Sequence, residues 1–328
     1  VSGLLGADLI RFRKHRGIQA IIVAVPLLAA LLFLLGALAA PAELPPFDPV
    51  AYRQELIDQG VGLGLPQAQA DEILDGIVAA EAENQAQQHA QNTIQRSYYA
   101  FPQSLLTVLG NAYMVLFATI LLTATTLGDE FGWATIRIAL LASSDRRRFL
   151  AVRLLMIGVV VAATVAILLV LGAVLPLVAG VLGVSPPVAA SLDAGALAVL
   201  VAGLLVVAIA AIGFATFVTV LVRSGALALV AVLVYVIVEA GVLTVLLQIP
   251  ALKAGGALEW LPNAFPIRGF VTFVDSAMNA AGRPTSFPGE VVDRSLQGAW
   301  VPLIALAIWA VGFLVLAFRR FGRMDIVE

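Results

Sequence analysis

Glu239 is the one carboxylate set in the middle of a long apolar run, VYVIVEAGVL, and Tyr235 lies one helical turn before it. A charge at mid-bilayer costs roughly 2.5–3.5 kcal/mol on insertion scales. The Glu239 carboxylate must therefore face a cavity, a partner group or a subunit interface, or carry a proton. Two roles are open. One is a substrate- or proton-handling site with Tyr235 as a co-lining group; the other is a structural hydrogen bond to a neighbouring helix. Thr216 and Thr219 are weaker polar candidates, because mid-span threonines commonly bond to their own backbone. Other chemistries are excluded by residue type. There is no cysteine, so no disulfide, thiolate nucleophile or cysteine metal site. The two histidines, His15 and His89, both fall in polar segments and cannot form an intramembrane histidine site. A phosphate-binding P-loop needs Gly-Lys-Ser/Thr, but Lys14 follows Arg13 and Lys253 follows Leu252, and neither precedes Ser or Thr. The chain is expected not to be an enzyme by itself. The DEILD run at 71–75 has no metal-ligand spacing and reads as a solvated face.

The elements that must position these residues follow from composition. Hydrophobic residues make up 61% of the chain, charged residues 12%, and mean hydropathy is +1.00. That is a polytopic membrane protein. Six stretches reach the roughly 20 apolar residues that a span requires: residues 18–40, 104–127, 149–182, 192–222, 226–249 and 299–318. The third and fourth exceed a bilayer and are expected to tilt or project. Ala37-Leu38-Ala39 resembles a signal-peptidase site, but the apolar run before it is long for a signal peptide, so a retained first helix is expected. Of 19 basic residues, 13 lie in the N-terminal segment 1–17, the loop 128–148 with the start of the third span, the turn after the fourth span and the tail 319–328. By the positive-inside rule these are cytoplasmic, and both termini with them.

Two large segments then fall outside. Residues 41–103 open on PAELPPFDP, which prolines keep out of a helix. Pro49 suits the first turn of a short helix to about Gln59; Gly60, Gly62 and Gly64 break it; a second, polar and alanine-rich helix runs from Pro66 to about Tyr98. A solvated helical hairpin carrying nine acids and two arginines is expected. Residues 250–298 differ in kind, and Trp260, Phe265, Phe270 and Phe273 suit an interfacial aromatic belt.

The densely charged interior loop reads GDEFGWATIRIALLASSDRRRFLAVRLL from Gly128. Apolar Phe131, Ile136, Ile138, Leu140 and Leu141 alternate with polar Asp129, Glu130, Thr135, Arg137 and Ser144, the stripe of a helix that docks in a groove. Orientation plus headgroup contact is the plainer account of Arg146–Arg148. This loop resembles the first cytoplasmic loop of permease subunits of ABC-2 type ABC transporters, in Glu130, Thr135, Ile136, Arg137, Leu140, Leu141, Ser144, Arg146 and Arg153. Ala134 stands where that family usually has glycine. The Leu261-Pro262 dipeptide and the tail FRRFGRMDI are similar to the same family.

The resemblance implies an all-α, six-span, ABC-2 exporter-like fold with the outer hairpin between spans 1 and 2 and a re-entrant or interfacial segment between spans 5 and 6. It implies coupling to an ATPase subunit through Glu130, Thr135, Arg137, Leu141 and Arg146. Its further implications are a second permease copy, identical or paralogous, and two ATPase copies that carry the ATP and Mg. The location implied is a bacterial or archaeal cytoplasmic membrane. The available lining of Leu, Val, Ala and Phe suits export of a hydrophobic or amphipathic substrate; no nucleic-acid partner is expected. A proton-coupled secondary transporter using Glu239, and a non-transport scaffold or sensor using the acidic hairpin, are the alternatives. No internal sequence repeat of the kind common in secondary transporters is evident.

Overall fold

The computed structural model describes residues 16–62, 64–132, 145–182, 191–252, 258, 260–284 and 293–324, and regular structure among them is helical. Helix α1 spans Arg16–Ala39, α2 Pro49–Asp58, α3 Gln67–Ser97, α4 Gln103–Leu109 and α5 Ala112–Gly132. They are followed by α6 Arg146–Val181, α7 Ala194–Val222, α8 Gly225–Leu246, α9 Pro266–Ala280 and α10 Gln297–Gly322. Six segments are long and apolar enough to cross a membrane: α1, α4 with α5, α6, α7, α8 and α10. The chain is a multi-pass membrane protein.

Local chemistry sets the helix ends. Asp145 caps α6 by accepting from the amides of Arg147 and Arg148 at 3.0 and 3.2 Å. Asp193 caps α7 through Ala196, and Ser224 caps α8 through Leu227. These side chains satisfy amides that have no partner within their own helix. The second span, expected as one run over 104–127, is broken at Gly110–Asn111 into α4 and α5. There the Asn111 side chain donates to the Thr107 carbonyl, a local bond that competes with the helical ladder. The expected loop 128–148 is shorter at both ends, because α5 continues to Gly132 and α6 begins at Arg146.

α7 is the hub. Half of its most apolar stretch is buried, against 22% for α1, α8 and α10. It packs most extensively on α10 and also contacts α5, α8 and α9. Close approach depends on small residues, since lipid offers no hydrophobic drive between helices. A Cβ at Gly203 of α7 would lie 1.8 Å from the Phe273 ring of α9, and one at Gly128 of α5 only 2.3 Å from the backbone of Gly225 at the start of α8. Phe270 and Phe273, read from sequence as belt aromatics, are instead in the core, at 1% and 0% exposure. The reason is that α9 is amphipathic and turns its apolar face onto α7 and α10, while Trp260 stays exposed.

α2 and α3 are joined through Gly60, Gly62 and Gly64, all with φ between 84° and 88°. Arg53 of α2 pairs with Asp71 and Asp75 of α3 at 2.8 and 3.2 Å, so two carboxylates of the DEILD run are bound to an arginine. Among the described residues no group of side chains has the makings of a metal site.

Candidate functional site

Two regions carry the residues singled out by sequence. The first is the junction of α5 and α6. Glu130 lies inside α5, two residues before its end, and Arg153 lies two turns into α6. Their side chains form an ion pair, each 2% exposed. The Arg153 guanidinium also stands 5.6 Å from the centre of the Phe149 ring. Phe149 in turn stacks with Phe321 of α10 at 6.4 Å. Arg146 donates from Nη1 to the Met324 carbonyl at 2.6 Å, tying the start of α6 to the end of α10. Thr135, Arg137 and Leu141 lie outside the described residues. Glu130 is thus not a surface group: its carboxylate is consumed in holding α5 to α6 at the base of segment 133–144. Both oxygen and guanidinium are out of water, so the pair is held by direct attraction at short range, and loss of one member would leave the other charged and buried.

The second region surrounds Glu239. It is 3% exposed. Its Oε1 accepts from the amides of Ile267 at 2.8 Å and Arg268 at 3.0 Å, the second and third residues of α9. α9 begins with Pro266 after Phe265, which has no side chain able to cap. Glu239 supplies the cap from another helix, its carboxylate set at the positive end of the α9 dipole. Oε2 of the same carboxylate is buried, and among the described residues no donor meets it in good hydrogen-bonding geometry. The Tyr235 phenol adjoins the carboxylate.

This contact also fixes depth. Glu239 lies seven residues before the end of α8, or about 10 Å by helical rise. The chain between α8 and α9 must therefore dip back to that level, through short 3-10 turns at Pro250–Leu252 and Leu261–Ala264. Trp309, mid-way along α10, holds the dip by donating its indole N–H to the Ala264 carbonyl at 2.8 Å. Irregular backbone at membrane depth is tolerated where protein groups satisfy it.

Beside α9's N-terminus, between α5, α7, α8 and α10, is an almost wholly apolar cavity of about 80 Å³. Tyr235 and Ile267 are part of its wall, together with Phe214, Phe270, Trp309 and Phe313. Thr219 donates to its own helix at Ala215, 2.7 Å away, whereas the Thr216 hydroxyl is buried without a hydrogen-bond partner among the described residues. The amides of Ile267 and Arg268 were not foreseeable as Glu239's partners from side-chain types. The usable signal was a helix starting at Pro266 with a phenylalanine where a capping residue belongs.

No curated protein and no solved structure matches the chain. One family model does, over residues 86–327, which takes in the latter part of α3 and every span after α1. With both regions inside that match, the chain belongs to the family described as "Protein of unknown function (DUF2705)".

Proposed function

We propose that this protein is the transmembrane subunit of an ATP-driven ABC-2 type transporter that exports a hydrophobic or amphipathic substrate. The observation that carries the reading is the buried Glu130–Arg153 pair at the base of segment 133–144. A loop that merely links two spans needs no such brace. A loop that receives force from an ATPase does, because the brace makes α5 and α6 move as one body. The Arg146–Met324 bond extends that body to α10. In this reading segment 133–144 faces the cytoplasm and docks on the ATPase through Thr135, Arg137 and Leu141. ATP and Mg are bound by two ATPase copies, and a second copy of this chain or a paralogue completes the membrane part. The α2–α3 helix pair stands on the outer side as a solvated hairpin. A bacterial or archaeal cytoplasmic membrane is the setting.

The test is co-purification of the full chain with an ABC ATPase subunit from the same cells, followed by ATP hydrolysis in the reconstituted complex. Arg137→Ala should keep the assembly intact and lower hydrolysis stimulated by substrate. Absence of any ATPase partner would remove the reading. A second reading, proton-coupled transport, draws on the buried Glu239 carboxylate and the Tyr235 phenol beside it. Transport driven by a proton gradient without ATP would select it.

A further inference from the structure

We propose that the cavity between α5, α7, α8 and α10 binds a quaternary ammonium group carried on an apolar body. The inference rests on the cavity and not on the transport reading. Four side chains on three spans form one aromatic wall. Tyr235 and Phe214 have ring centres 4.9 Å apart, Phe214 and Phe313 4.9 Å, and Phe313 and Trp309 5.2 Å. Phe270, on α9, adds a fifth aromatic to the lining. Successive rings are inclined by 56°, 47° and 21°, and all four residues line the space. Aromatic rings gathered in this way attract cations through their negative faces, and most strongly where water is excluded.

Charge complements shape. Glu239 stands behind the wall: of the three residues adjoining its carboxylate, Tyr235 and Ile267 line the cavity and Arg268 does not. Where Glu239 is ionised, the α9 dipole, worth about half a positive charge, balances its carboxylate only in part. The Arg268 guanidinium is on an exposed residue. In a low-dielectric interior that residual negative charge acts across the wall. A primary ammonium would need an acceptor within hydrogen-bonding reach, and the lining is apolar. A quaternary group needs none: it takes π faces and a nearby negative charge. A volume of about 80 Å³ suits a compact trimethylammonium head, with the apolar remainder left outside among the spans.

The experiment uses the purified full chain in uncharged maltoside micelles. Phenyltrimethylammonium and its neutral isostere tert-butylbenzene are titrated by calorimetry. Phenyltrimethylammonium should bind saturably and at least about tenfold more tightly than the isostere, in line with a desolvated cation–π site. Phe214→Leu keeps an apolar wall and removes a π face; it should weaken the cation several-fold and leave the isostere unchanged. Glu239→Gln keeps an oxygen for the Ile267 and Arg268 amides and removes the charge, with about tenfold loss expected for the cation alone. Thermal unfolding of each variant checks that the fold survives. Equal affinity of the two compounds for the wild-type protein, or no saturable binding, would overturn the proposal and leave the cavity as a place for acyl chains.

Discussion

Glu130 and Arg153, 23 residues apart in sequence, meet as a buried ion pair that closes the two helices flanking segment 133–144. Neither is more than 2% exposed. Glu130→Ala and Arg153→Ala should each lower stability by about 3–5 kcal/mol, because each takes from a buried charge the group it is paired with. The double substitution Glu130→Leu with Arg153→Met should recover much of that loss. Thermal unfolding in detergent reads all three, and additive losses in the double variant would show that the two side chains do not act as a pair.

Glu239 can be separated into its capping and charge roles. Glu239→Leu removes the acceptor from two α9 amides and should cost about 1–3 kcal/mol, whereas Glu239→Gln should cost less because its carbonyl oxygen still accepts. Amide hydrogen exchange gives the local readout. Ile267 and Arg268 should lose protection in the leucine variant and keep it in the glutamine variant.

Backbone contact between α5 and α8 depends on Gly128. A Cβ there would fall 2.3 Å from the nitrogen and Cα of Gly225, neither of which is a flexible side-chain end. Gly128→Val should force the helices apart and lower the unfolding temperature, while Gly158→Val, where a Cβ meets nothing within 4 Å, should change it little. Equal melting shifts for the two variants would argue against a tight crossing.

Sidedness is open to chemical labelling because the native chain has no cysteine. A cysteine introduced at Gln85 in α3 should react with an impermeant maleimide added outside intact cells. One introduced at Arg223, in the turn between α7 and α8, should react only after permeabilisation. Reversal of the two patterns would invert the topology.

The spans were legible because each is a long apolar run, and the α2–α3 turn because Gly60, Gly62 and Gly64 announce it. Glu239 was conspicuous as a lone charge. Its partners were not, because backbone amides carry no residue-type signature. The break between α4 and α5 was hidden inside a run that stays apolar on both sides of Gly110–Asn111. Phe270 and Phe273 were misplaced because an aromatic residue reads the same in sequence whether it meets headgroups or a core. Glu130 and Arg153 were both noticed, one as a docking group and one as a helix-entry residue. That they pair is a fact of tertiary structure, which residue types alone do not announce.

The cap on α9 also bears on the order in which the protein is made. Glu239 emerges from the ribosome 28 and 29 residues ahead of the two amides that receive it. The fifth span must therefore enter the lipid with a carboxylate that has no native partner. Its high mean hydropathy of 2.6 can offset the roughly 2.5–3.5 kcal/mol penalty of a central charge. Native structure at this place waits for α9 and α10 to be synthesised, since α9 supplies the two amides and Trp309 of α10 bonds the Ala264 carbonyl just before them. Nascent chains arrested before residue 266 should therefore be susceptible to membrane quality-control proteases that spare the completed protein.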